Sequence, residues 1–224
     1  LESFGSVDGP GVRYLIFLSG CTMRCQFCHN PDTWERTAGC VYTADELLSK
    51  ALRFQEYWGE EGGITVSGGE PLLQMDFLIE FLQKAKAKGV HTTIDTSGSP
   101  FTRKEPFLGK FQELMKFTDL LLLDIKQMDE EKHRLLTGRT NQNILDMARY
   151  LSEMGKPVWI RHVLVPGRSD FDEDLQKLYA FIQTLHNVER VEVLPYHTLG
   201  AYKWKELGYE YPLEGVEPPS GERI

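Results

Sequence analysis

Three of the four cysteines in this 224-residue chain fall within the stretch Cys21-Thr22-Met23-Arg24-Cys25-Gln26-Phe27-Cys28-His29-Asn30. Thiols at offsets of four and three on one loop can point at a single centre, and thiolates are soft ligands for zinc, copper(I) or iron and sulfur. A structural zinc site would enlist His29 as fourth donor, but sequence neighbours rarely both face one tetrahedral ion, and such sites usually draw on two separated knuckles. A triplet plus the distant Cys40 does not make a paired disulfide framework, so reduced thiols and a cytoplasmic location are expected. The spacing Cys-x3-Cys-x2-Cys also differs from the four-cysteine ferredoxin run. Three local thiolates on a cubane leave one iron without a protein ligand, and an open metal position is where chemistry takes place.

The elements that must position this loop alternate between strand and helix. Strands are predicted at Tyr14–Leu18, Ile64–Val66, His91–Ile94, Asp119–Leu123, Pro157–Val165 and Val188–Leu194, from short apolar runs closed by Gly, Pro or a charged residue. Helical patterns fill the intervals: Thr43 to about Trp58, Met75–Lys88, Pro106–Phe117, Glu130–Leu136, Asn143–Met154 and Asp172–Leu185. Residues 1–13 read as a turn-rich lead-in because of Asp8-Gly9-Pro10-Gly11. Six such units argue for an α/β fold: an open, partial (β/α)6 TIM-like barrel of parallel strands, in one domain spanning 1–224. Six units cannot complete an eight-stranded circuit, so one flank should gape wide enough for a large substrate.

Residues with chemical potential cluster where these strands end, the face on which barrel folds build active sites. Ser67-Gly68-Gly69-Glu70-Pro71 follows the second strand, and paired glycines let the backbone approach a ligand, although an ordinary glycine turn reads the same way. Asp95 and Asp124 end adjacent strands, where their carboxylates could converge on a hard cation or stand as solvated charges. Lys126 shares the face of Asp124 if the strand persists. Arg161 interrupts an apolar strand and needs an anionic partner, either a neighbour such as Asp124 or a bound ligand. His197 follows a Pro-Tyr turn, and a lone histidine is more often a surface residue than a ligand. Cys40 reads as an ordinary loop cysteine.

The balance of 33 acidic against 25 basic residues gives a net charge of -8, which argues against a nucleic-acid partner. No apolar run approaches a membrane span. The chain opens on Leu1 rather than methionine, so residues are expected to precede it.

The cysteine loop followed by His29-Asn30 resembles the cluster loop of the radical S-adenosylmethionine (SAM) superfamily. Further stretches resemble its glycyl-radical-enzyme activating family: Val7-Asp8-Gly9-Pro10-Gly11-Val12-Arg13, Asp32-Thr33-Trp34, Asp124-Ile125-Lys126-Gln127-Met128, Trp159-Ile160-Arg161 and Leu194-Pro195-Tyr196-His197. The resemblance implies a [4Fe-4S] cluster on Cys21, Cys25 and Cys28, with SAM on the open iron. It implies SAM contacts from Phe27, Cys28, His29, Gly68, Gly69, Glu70, Asp124, Ile125, Lys126 and His197, and a monovalent cation near Asp95 and Asp124. The implied reaction is one-electron cleavage of SAM to methionine and a 5′-deoxyadenosyl radical, which takes hydrogen from a glycine of a partner glycyl radical enzyme. Asp8 and Arg161 are then candidates for gripping that glycine loop. One leftover cysteine cannot hold the second cubane of many relatives, which favours a partner of the pyruvate formate-lyase type. The electron would come from a flavodoxin or ferredoxin, and the chain would act as a monomer. The family pattern also runs into a further helical segment beyond Ile224, so truncation there is expected. An activase of another glycyl radical enzyme, a small-molecule radical SAM biosynthetic enzyme and a zinc-bearing adaptor are the competing readings.

Overall fold

Which side of a strand its apolar residues occupy decides what that side faces, and here the two sides differ sharply. A computed structural model describes residues 1–223. Its seven strands run in sheet order as they do in sequence: β1 (Glu2–Gly5), β2 (Arg13–Leu18), β3 (Gly63–Gly68), β4 (His91–Thr96), β5 (Leu120–Asp124), β6 (Val158–Leu164) and β7 (Val188–Pro195). The six strands β2 to β7 are parallel. Among the described residues β7 does not pair back to β1, so the sheet is an open arc, as expected.

The helices are α1 (Ala44–Leu52), α2 (Met75–Ala87), α3 (Phe107–Met115), α4 (Glu130–Thr137), α5 (Gln142–Glu153), α6 (Asp172–Ile182) and α7 (Ala201–Glu206). Ile16, Ile64, Val66, Ile94, Leu121, Leu123 and Ile160 join Leu78, Phe81, Phe111, Leu114 and Met147 in the large core between sheet and helices. The concave side is thinner and more polar. Leu120, Leu122 and Trp159 form a small separate cluster there, beside fully buried Arg13, Thr65 and Thr93. The unbroken Leu120–Leu123 run is therefore what a strand needs when both faces are covered.

Three features depart from the expectation. The lead-in is not all turn: β1 pairs antiparallel with β2, and Phe4 packs edge-on to Phe54 and Tyr57 at 5.9 and 5.1 Å. Four half-exposed residues ending in Gly5 carry too little pattern to show this in advance. The first helix stops at Leu52 rather than near Trp58, because Phe54 leaves helical geometry and a 3-10 turn at Gln55–Tyr57 follows. Its start is as expected, with Thr43 and Glu46 forming a reciprocal capping box. Helix α7 has only six residues and was not expected at all.

Candidate active site

The parallel register aligns the C-terminal ends of the strands, pairing Leu18 with Gly68 and Asp124 with Arg161. At that end lies a cavity of about 250 Å3 lined by Cys21, Cys25, Phe27, Cys28, His29, Gly68, Gly69, Asp95, Asp124, Lys126, Arg161 and Asp8. Sequence reasoning named all of these. The wall also takes in Met23, Ser67, Thr96 and Ser97, to which it gave no role. Along the cysteine loop, positions 21, 23, 25, 27 and 28 line the cavity, while Thr22 and Arg24 are exposed.

The loop is anchored from two sides. Its outer edge donates Arg24 N–H to Thr137 O (2.8 Å) and Gln26 N–H to Leu136 O (2.9 Å) at the end of α4. Helix α7 clasps the other end: Trp204 Nε1 donates to Cys28 O at 2.9 Å, and Lys203 Nζ reaches Asn30 Oδ1 and Asp32 Oδ1 at 3.0 Å each. The segment after His197 carried no signal of this beyond an isolated Trp and Lys.

All three loop cysteines are free thiols. Burial pushes the Cys25 thiol up to about 12 and also raises Cys21 and Cys28, so only a bound metal's charge would hold them as thiolates near neutral pH. Among the described residues no three His, Cys, Asp or Glu side chains form a ready-made single-ion site. Three thiols on one cavity wall are a donor set that a polynuclear cluster can use. Cys40 is exposed and lies on a different cavity, so it adds no fourth ligand here.

Lys126 Nζ pairs with Asp124 at 2.6 Å and stands 5.3 Å from the centre of the Phe27 ring. Burial works against its charge, yet Asp124, joined by the Cys25 sulfur once that is ionised, overcomes it and raises the pKa. Asp124 is thereby taken, and of the two partners open to Arg161, an acidic neighbour such as Asp124 or a bound ligand, acidic neighbours are present but Asp124 is not the one in contact. Arg161 instead lies 3.7 Å from Asp8, 3.6 Å from Asp95 and 3.5 Å from Glu192. Glu192 was not anticipated, although an acid inside β7 level with Arg161 in register was the available signal. Asp95 accepts from Ser67 Oγ at 2.7 Å. Burial, and then repulsion from Asp124, lifts its pKa to about 6 against the pull of Arg161.

Three assigned residues do not line the cavity. Ile125 is buried in the main core. Glu70 is fully buried, with its carboxylate accepting from Thr96 Oγ1 (2.5 Å), Leu72 N (3.1 Å), Ser97 N (3.0 Å) and Ser97 Oγ (2.5 Å). It ties the end of β3 to the end of β4. His197 stacks on His29 with centroids 4.2 Å apart and accepts through its backbone oxygen from His29 Nε2 at 3.2 Å, so it buttresses a wall residue. The paired glycines have a reason beyond ligand approach: a Cβ on Gly68, whose φ is +116°, would meet Leu18 N at 2.3 Å, and one on Gly69 would meet Gly20 O at 2.3 Å.

The pattern of the Radical SAM superfamily matches residues 15–182. The chain is 57% identical over 225 residues to a pyruvate formate-lyase-activating enzyme of Streptococcus mutans, covering 100% of this chain and 86% of that relative. It is 56% identical to one of Listeria monocytogenes, covering 100% and 91%. Among solved structures, a domain of a pyruvate-formate lyase-activating enzyme from Bacteroides vulgatus superposes with a TM-score of 0.58 at 29% identity, covering 72% of this chain and 88% of that one. Streptococcus suis SuiB bound to its precursor peptide SuiA gives 0.67 at 20% identity over 86% and 41%, a likeness of fold alone. The chain belongs to the radical SAM superfamily and, within it, to the pyruvate formate-lyase-activating enzymes.

Proposed function

We propose that this protein activates pyruvate formate-lyase by drawing hydrogen from one of that enzyme's glycines. The observation that carries the reading is the convergence of three free thiols on one strand-end cavity in a chain 57% identical to an activating enzyme. A [4Fe-4S] cluster on Cys21, Cys25 and Cys28, with SAM, would supply one-electron cleavage of the sulfonium and the 5′-deoxyadenosyl radical.

The chain's own residues hold and orient. Buried Lys126, kept charged by Asp124, balances negative charge on the thiolates. Phe27, His29, Gly68 and Gly69 form the wall for SAM, with His197 stacked behind His29. Glu70 acts as a positioning residue, holding two strand ends in the geometry the wall needs, and Ile125 does so from the core. Asp95 and Asp124 would take a monovalent cation, which offsets the repulsion that raises the Asp95 pKa. Asp8 and Arg161 face the incoming glycine loop: both line the strand-end cavity, and the ion pairs of Arg161, none shorter than 3.5 Å, leave N–H capacity that a peptide carbonyl would use. Holding that loop in near-attack geometry and excluding other hydrogen donors is the protein's contribution.

A flavodoxin or ferredoxin would deliver the electron, to a monomer working in the cytoplasm; no helix among the described residues is long and apolar enough to cross a membrane. Anaerobically reconstituted protein, reduced and mixed with SAM and pyruvate formate-lyase, should form 5′-deoxyadenosine and a glycyl radical signal in the partner. A reduced, SAM-cleaving preparation that leaves the partner without a radical would defeat this assignment. Zinc without sulfide on metal analysis would defeat the chemistry altogether.

A further inference from the structure

The outer side of the cysteine loop is positively charged. With a net charge of -8, the protein still places three exposed arginines against the outside of residues 21–26. Arg24 Nη1 donates to Cys21 O and Met23 O at 2.8 Å each. Arg139 Nε donates to Thr22 O at 2.9 Å, and Arg168 Nε donates to Gln26 Oε1 at 3.1 Å. Among the described residues Arg139 and Arg168 form no ion pair, and Arg24 has only Glu35 at 3.9 Å. The nearby acid Glu130 is engaged by Arg134, Thr140 and Gln142, while Asp170 accepts from Gly167 N. Beside Gln26, which Arg168 also reaches, lies Leu135, 76% exposed, whose carbonyl accepts from Gln26 Nε2 at 2.9 Å.

We propose that this face is the docking surface for an acidic protein that carries a one-electron reductant. The inference rests on the function proposed above and names the face by which its electron arrives. Arginines around a solvated leucine are what an interface core and rim require, and brief electron-transfer encounters need only a small area. Six residues of extended chain span at most roughly 20 Å, so the patch matches such a footprint. Position argues for the donor over the glycyl radical enzyme. The thiols point into the cavity that SAM and the glycine loop must share, whereas Thr22, Arg24 and Gln26 point away and flank Cys25 in sequence. A donor docked behind the loop gives up one electron to the cluster site without displacing either ligand. The donor is oxidised by one electron, and no bond is made or broken.

The test compares reconstituted wild-type holoenzyme with the double variant Arg139→Gln, Arg168→Gln, which keeps amide donors but removes two charges. The probe is an acidic flavodoxin in its hydroquinone form. Its Kd at low salt should rise about tenfold, its reduction of the protein should slow in proportion, and the dependence of both on salt should flatten. Photochemical reduction by a small deazaflavin should be unchanged. Unaltered flavodoxin affinity overturns the proposal. So does equal slowing with the deazaflavin, since the arginines would then only brace the loop. Weakened binding of pyruvate formate-lyase in place of flavodoxin overturns it as well. Wild-type protein that accepts electrons from flavodoxin but cleaves no SAM would sink the activase reading and leave the docking result intact.

Discussion

Two arginines are buried on the concave side of the sheet, and their surroundings are opposites. Arg13, at the N-terminal end of β2, is fully buried. It donates to Ile64 O (2.6 Å), Thr93 Oγ1 (2.8 Å), Thr65 Oγ1 (3.0 Å) and the carbonyls of Pro10 and His91 (3.3 Å each). No carboxylate pairs with it among the described residues, and burial lowers its pKa to about 10. Arg161, at the opposite end, has three carboxylates between 3.5 and 3.7 Å and, among the described residues, a single hydrogen bond, to Val7 O at 3.3 Å. Burial lowers its pKa too, but Asp95, Asp124 and Asp8 outweigh that and the net shift is upward. A guanidinium saturated by neutral acceptors is fastened in place. One surrounded by charge at longer range keeps directional N–H capacity for something that arrives later. Glu70, saturated, and Asp95, strained by its neighbours, repeat the contrast in carboxylates.

The largest effect should come from Arg13→Ala. It strands several buried acceptors, and we expect a loss of about 3 kcal/mol or more in urea unfolding, with Arg13→Lys recovering only part because an ammonium cannot reproduce the planar fork. If Arg161→Ala cost as much stability, the distinction between fastened and available arginines would fail.

Acidification probes a third buried base. His133 on α4 is fully buried, with Nδ1 2.7 Å from Arg139 O and Nε2 without a partner among the described residues. Burial lowers its pKa to about 4, assisted by Lys126 and opposed by the Arg139 carbonyl and Glu130. The unfolded chain therefore binds this proton more tightly, and stability is lost as pH falls from about 6.5 toward 4, by about 3 kcal/mol in total. Denaturation curves of wild type and His133→Gln between pH 4 and 7 should diverge on the acid side.

Next in size is Arg161→Lys, for which we expect less than about 1 kcal/mol of lost stability and roughly a hundredfold drop in partner activation at unchanged SAM affinity, since a compact ammonium replaces the fork. Quantified glycyl radical against bound SAM separates the two.

The smallest effect is a gain. Asp95 has a pKa raised to about 6, so its ionisation opposes folding as pH rises from about 4 through 6. Asp95→Asn, which still accepts from Ser67, should stabilise the ligand-free protein by about 1 to 2 kcal/mol at pH 7.5, discounted because 17% of the side chain remains exposed. The advantage should vanish near pH 4, and SAM affinity should fall. A thermal shift that does not depend on pH would show that Asp95 is not under strain.

Much of this protein was readable in advance. Each of the six parallel strands overlaps its predicted run, because an apolar stretch closed by Gly, Pro or a charge is a local property of the chain. The short elements β1 and α7 were not readable, since four and six residues hold too few turns of any period to stand out. Partner choice was also hidden: Asp124 is the residue level with Arg161 in the sheet, yet Lys126, two positions along, takes it at 2.6 Å.

By itself, then, the order of residues determined the donor chemistry of the loop, the alternation of elements and the end of the strands at which charged residues gather, because these depend on spacing and on period along the chain. Only the tertiary structure decided which charges neutralise one another, which of Glu70, Ile125 and His197 reach the cavity, and that Arg24, Arg139, Arg168 and Leu135 meet around the outside of the cysteine loop. Most of those outcomes depend on distances between segments that the chain separates, from 26 residues for Glu70 and Thr96 to 168 for His29 and His197, and in a low-dielectric interior a difference of one or two ångströms selects the partner.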